Sequence, residues 1–158
     1  LKSNLISKTE TAGVLKEISA QWKMELPKTK NLKIYEIDDS SHILVGEGIT
    51  ALRIGGTYLP FLSDTGVLER FPSVMVDMGA VKFMCNGANV MRPGIKSHTE
   101  FDKGDIVCIV EESQKKFLAV GRALVPSAEM ATISKGVVVE NLHYISDRYW
   151  EAKKSIKE

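Results

Sequence analysis

The sequence predicts an α+β protein built in two parts, residues 1–72 and 73–158. Three observations predict it. One long segment with helical apolar spacing stands near the N-terminus. Behind it run short apolar stretches of strand length, separated by glycine pairs and polar turns. At Pro72 the texture changes, and strand-like runs then alternate with short helical ones.

The first element is "SKTETAGVLKEISAQWKMEL". Ser7 and Glu10 have the capping-box spacing, and Leu15, Ile18 and Trp22 follow at helical intervals up to a stop at Pro27. "NLKIYEID" alternates apolar Leu32 and Ile34 with lysine and tyrosine, which predicts a strand. "SHILVGEG", "ITALRI" and "TYLPFL" predict three more, punctuated by Gly46/Gly48 and Gly55/Gly56. "SDTGVLERFP" reads as a turn and connection. In the second part "SVMVDMG" is a short strand, "AVKFMCNGA" a short helix and "NVMRPGI" strand or extended chain. "KGDIVCIVEE" and "KKFLAVGRALV" are strands joined by a polar hairpin. "SAEMATISKG" predicts a short helix capped by Ser127 and Gly136, and "VVVENLHYI" the last strand.

Composition excludes several classes. With 158 residues, 44% hydrophobic and 26% charged, the chain can bury a core. Its net charge is +1, with nine basic and nine acidic residues before Pro72 and twelve and eleven from there on. No global field draws it to polyanions, so binding of that kind needs a local patch. No apolar run reaches the ~18–20 residues of a membrane span, and "LKSNLISKTE" lacks the apolar core of a signal peptide. Cys85 and Cys108 make neither a disulfide framework nor a zinc site, so a reducing, cytoplasmic location is expected.

Catalytic motifs fail on inspection. "GEGITA" has the spacing of a dinucleotide fingerprint, but the Gly55/Gly56 pair interrupts the helix that fingerprint needs. His42, His98 and His143 are scattered without metal-ligand spacing, and "HTEFD" reads as an exposed loop. Neither cysteine has a base nearby in sequence, no nucleophile elbow is present, and both cysteines read as core. Asp38/Asp39 and Glu111/Glu112 read as solvated turn residues. No enzyme, cofactor or metal is expected.

Two stretches remain. "WKMELPKTKNLK" carries Lys23, Lys28, Lys30 and Lys33 against Glu25 alone, which suits either a solvated face or phosphate contact. "NGANVMRPGI", Asn86 to Ile95, interrupts an apolar background with two glycines, a proline and Arg92. Its glycines admit close approach of another backbone, its asparagines can read base edges or sugar hydroxyls, and Arg92 can grip phosphate or stack on a base. A helix-to-strand corner that only closes the fold explains the same residues.

The runs "VMVDMGAVKFMCNGANVMRPGI", "FDKGDIVCIV" and "FLAVGRALVPSAEM", in that order over residues 73–150, closely resemble the PUA domain, a small RNA-binding module. The ending "SKGVVVENLHYISDRYW" is similar to PUA proteins of the malignant T-cell-amplified type and their archaeal relatives. The resemblance implies an N-terminal α/β pre-PUA domain (1–72) followed by a PUA mixed β-barrel with short helices (73–158). It implies a non-catalytic RNA-binding protein acting on tRNA or ribosomal RNA in translation, with the small ribosomal subunit or a protein as further partner. No DNA or membrane is expected. An accessory subunit delivering RNA to a modification enzyme is the alternative. Carried onto matching positions, the RNA-binding residues are Gly79, Ala80, Lys82, Gly87, Ala88, Asn89, Arg92, Pro93 and Gly94. Lys96 joins them by proximity and charge, and Lys28, Lys30 and Lys33 form a possible second contact.

Overall fold

The computed structural model describes residues 1–156. Helix α1 (Lys8–Trp22) begins where Ser7 Oγ accepts the Glu10 N–H at 3.1 Å, as the capping spacing predicts. It buries Thr11, Ile18 and Trp22. It ends at a left-handed Lys23 (φ 55°), four residues before the predicted stop at Pro27. Thr11 Oγ1 accepts the Leu32 N–H, and Trp22 Nε1 donates to the Tyr58 carbonyl at 2.8 Å. These side chains fix the helix to a five-stranded antiparallel sheet.

That sheet runs β1 (Ser3–Leu5), β2 (Lys33–Glu36), β3 (Ser41–Gly46), β4 (Ile49–Ile54) and β5 (Thr57–Pro60), in chain order. Central strands β3 and β4 alternate less strictly than a one-sided sheet requires, because Ile43, Leu44, Ala51 and Leu52 are all buried. A one-turn helix α2 (Thr65–Leu68) forms where only a turn is expected.

The second sheet holds β6 (Ser73–Val76), β7 (Val90–Met91), β8 (Ile95–His98), β9 (Ile106–Glu111), β10 (Phe117–Ala123) and β11 (Val137–Tyr144). Its spatial order is β7-β11-β10-β9-β6-β8, antiparallel except for β6 beside β9. The two edge strands, β7 and β8, are consecutive in the chain, joined by the 3₁₀ turn Arg92–Gly94. The sheet therefore curls into a nearly closed barrel, which is the α+β, mixed-barrel fold the sequence predicts. The parallel β6–β9 pair requires a crossover, and residues 77–105 supply it, including α3 (Val81–Met84).

Three local expectations are corrected. "SAEMATISKG" forms only a 3₁₀ turn, Ser127–Glu129, with Pro126 at its N-cap. Ser127 Oγ is occupied elsewhere: it accepts the Phe101 N–H and donates to the Phe101 carbonyl. Glu111 is not a solvated turn residue. It is buried, and its carboxylate accepts N–H bonds from Gln114 and Lys115, which close the β9–β10 hairpin. Cys85 is only half-buried, whereas Cys108 is fully buried and burial pushes its thiol up to about 12.

Helix α4 (Arg148–Lys153) follows the last strand, capped by Asp147, which accepts the Trp150 N–H at 2.7 Å. The same buried carboxylate accepts the Nδ1–H of buried His143 at 2.8 Å, and His143 Nε2 accepts the Leu62 N–H. The core beneath the first sheet takes Ile106, Cys108 and Val120 from the barrel, with Leu142, Tyr149 and Trp150 packed against it. A second core fills the barrel around Val76, Met84, Val107, Ile109 and Met130. Full burial of each such side chain contributes about 1.5–3 kcal/mol.

Candidate nucleic-acid interface

The expected residues of the second part fall largely on one feature, the crossover from β6 to β8. Asp77 starts it. Its Oδ1 accepts the Ala80 N–H at 3.0 Å, its own N–H donates to the Gly94 carbonyl, and Glu112 Oε2 accepts the Met78 N–H. These bonds lay Gly79 and Ala80 against the Arg92–Gly94 turn. A Cβ placed on Gly94 would stand 3.9 Å from Ala80 Cβ.

Helix α3 is one turn long. It buries Met84 and turns Lys82 and Phe83 outward, with Lys82 Nζ 5.2 Å from the Phe83 ring centre. The chain leaves the helix through a Schellman turn: Gly87 N–H donates to the Met84 carbonyl and Ala88 N–H to the Phe83 carbonyl. Gly87 has φ +90°, and a Cβ there would meet the Tyr144 ring at 3.0 Å. This glycine is thus required by the fold itself. Gly79 and Gly94 have no positive φ; a Cβ on Gly94 would meet only ordinary contact, whereas one on Gly79 would stand a tight 3.3 Å from Asp77 Oδ1.

Asn89 is exposed, but its Oδ1 accepts the Asn141 N–H at 3.0 Å, which leaves its two amide protons and one lone pair of the oxygen to a ligand. Arg92 is half-buried. Its Nε donates to the Met130 carbonyl at 2.9 Å and its Nη1 to the Ile95 carbonyl at 3.4 Å. The guanidinium therefore ties the 92–94 turn to the turn at 127–130, a role its isolation in the sequence does not reveal. Pro93 and Lys96 are exposed on either side of Gly94.

Between α3, β7 and the 92–94 turn lies a groove of about 250 Å³. Its walls are Val76, Ala80, Phe83, Met84, Ala88, Asn89, Val90, Met91 and Gly94, so Asn89 is the one polar side chain lining it. Phe83 (53% exposed) and Met91 (47%) stand at it unprotected. Sequence reasoning missed both. Period-two alternation with Val90 would have turned Met91 outward, and burial of Met84 within a single helical turn would have done so for Phe83. Lys82, Arg92 and Lys96 supply positive charge on the elements that form the groove.

A larger cleft of about 580 Å³ lies between α1 and the loop before β9. Glu100, Asp102 and Asp105 line it, and Lys23 Nζ is bound to Asp105 at 2.7 Å and Asp102 at 3.3 Å. Its carboxylates repel phosphate, so the larger cavity is the poorer nucleic-acid site. Lys28, Lys30 and Lys33 are exposed but belong to β2 and the loop between α1 and it, and do not join the groove. Lys33 lies over the Tyr35 ring at 5.3 Å. Among the described residues no cluster of His, Cys, Asp or Glu is arranged to hold a metal ion, and no helix is long and apolar enough to cross a membrane.

Residues 72–145 match the family model of the PUA domain. The chain is 35% identical to an uncharacterized protein of Methanocaldococcus jannaschii over 96% of this chain and 97% of that one. It is 32% identical to the Malignant T-cell-amplified sequence 1 homolog of Drosophila melanogaster over 81% and 75%. It is 36% identical to Translation machinery-associated protein 20 of Saccharomyces cerevisiae over 52% and 49%. Among solved structures, a hypothetical protein of Pyrococcus horikoshii superposes with a TM-score of 0.79 at 27% identity, covering 96% of this chain and 99% of that one.

Proposed function

The chain belongs to the PUA-domain family, in its malignant T-cell-amplified branch, and on that premise we propose that it is a non-catalytic RNA-binding protein of translation. Its target is tRNA or ribosomal RNA in the cytoplasm, met through residues 73–158, with 1–72 acting as the pre-PUA domain. The small ribosomal subunit or a protein is its further partner. The observation that carries the reading is the groove: apolar walls, exposed Phe83 and Met91, and cations on the elements around it. An unpaired base finds apolar contact there, while Lys82, Lys96 and the remaining Arg92 N–H groups meet phosphates. Gly79 and Gly94, bare of side chains, let the ribose-phosphate chain approach. Lys28, Lys30 and Lys33 extend the contact for a longer RNA.

The test is fluorescence anisotropy of an RNA hairpin with an unpaired 3′ end, titrated at several salt concentrations. Lys82→Ala with Lys96→Ala is expected to weaken binding about tenfold, about 1.4 kcal/mol. Loss of two phosphate contacts also lowers the log–log salt slope by roughly 1.4–1.8. Wild-type affinity and slope in the folded double variant would remove this groove from the RNA interface.

A further inference from the structure

One residue of the closing run "SKGVVVENLHYISDRYW", given no role from the sequence, holds the groove wall in place. Asn141 lies on β11, and its side-chain amide donates to the Met84 carbonyl at 3.1 Å and to the Ala88 carbonyl at 3.0 Å. Its backbone N–H donates to Asn89 Oδ1 at 3.0 Å. Three bonds from one residue thus fasten the beginning, the end and the outlet of the Schellman turn at 84–89. The Asn89 side-chain Oδ1 acts here as a substitute rung, extending the β7–β11 ladder one residue past Val90 and two past Val139.

The amide can sit only one way round. Reversed, its oxygen would face two carbonyl oxygens. In the orientation present, Asn141 Oδ1 is buried and has no partner among the described residues. An unpartnered buried acceptor is unfavourable, and an apolar side chain would avoid it. The fold tolerates it while keeping both amide protons on the turn.

The approach of Asn141 depends on a β-bulge. The β10–β11 register shifts between Val120 and Gly121, so that Val120 faces His143, Gly121 faces Asn141, and Leu142 is the extra residue. A Cβ on Gly121 would stand 1.9 Å from the Glu140 carbonyl oxygen, which is impossible without moving backbone. Gly121 therefore permits the bulge, and the bulge sets where Asn141 stands relative to the turn.

We infer that Asn141 is the positioning residue of the RNA groove, placing Ala88 and Asn89 on its wall without itself touching RNA. The inference rests on the RNA reading above. Both amide protons and the backbone N–H of Asn141 are engaged and Oδ1 is buried, so no polar atom of its side chain remains to meet a ligand.

The experiment compares Asn141→Ala with wild type by amide hydrogen exchange, thermal unfolding and anisotropy with the same RNA hairpin. Exchange at Gly87 and Ala88 is expected to accelerate about tenfold, with Val107 and Val120 in the barrel unchanged. RNA affinity falls about tenfold well below the melting temperature, and the salt slope stays at the wild-type value because no cation is removed. A direct contact would cost affinity without loosening Gly87 and Ala88, and a merely structural role would loosen the barrel amides together with the turn. Unchanged exchange at Gly87 and Ala88 overturns the inference. Faster exchange with wild-type affinity also overturns it, and whether the groove binds RNA at all is then read separately from the Lys82/Lys96 variant. Should Asn141→Ala fail to fold, Asn141→Ser, which keeps a polar side chain but is one bond too short to hold the Met84 and Ala88 carbonyls as the amide does, gives the same comparison.

Discussion

Arg92→Ala separates two jobs that a cation in this loop could have. The Nε–Met130 bond at 2.9 Å is well formed, whereas the Nη1–Ile95 contact at 3.4 Å is at the limit of a hydrogen bond. A bond from a charged donor contributes about 1.5–3 kcal/mol. The site is half-exposed and screened, so the lower end applies to the first bond and nothing measurable to the second. The expected loss is about 1.5 kcal/mol, which in a domain of this size lowers Tm by about 3–6 °C. Lys82 makes no such bond, so Lys82→Ala should leave Tm within about 1 °C while reducing the salt slope of RNA binding by roughly 0.7–0.9. Scanning calorimetry and salt-titrated anisotropy on both variants decide the matter. An Arg92→Ala protein that melts within about 1 °C of wild type would refute the staple and return the whole guanidinium to the RNA.

Gly87→Ala places a side chain at φ +90° and a methyl 3.0 Å from Tyr144; a loss of about 2 kcal/mol, or about 4–8 °C in Tm, is expected from calorimetry. Glu111 gives a pH dependence. The Gln114 N–H above all, with Ser113 and Lys115, holds its carboxyl below the ordinary range against the opposing effect of burial. A lowered folded pKa means that the stabilisation is fully present above the unfolded value of about 4.3 and is lost as pH falls through the folded one. Urea midpoints of wild type and Glu111→Gln should therefore differ at pH 7 and converge on acidification below about pH 4.

Much of the fold can be read locally. Ser7 and Glu10 mark the start of α1 because a capping bond is made within one turn. The β9–β10 hairpin is legible because both strands are apolar and the residues between them are not. Local chemistry misleads where a side chain has a distant use. Ser127 looks like an N-cap, yet its hydroxyl binds Phe101, 26 residues away. Glu111 looks like a solvated hairpin residue, yet it folds back on its own turn and is buried. The end of α1 is set by a left-handed lysine, for which residue type gives no warning.

The groove shows the same division. Its glycines, Asn89, Arg92 and the lysines stand within eighteen residues of one another, from Gly79 to Lys96, so one stretch of sequence by itself determines which chemistry is brought together. Which of those groups is free is decided by partners 38 and 52 residues away: Met130 takes the Nε–H of Arg92, and Asn141 takes the oxygen of Asn89. An N–H engaged across the barrel is no longer available to a ligand, and an amide oxygen so engaged keeps one of its two lone pairs. The sequence states what each side chain can do, and only the tertiary structure decides which of those capacities remains for RNA.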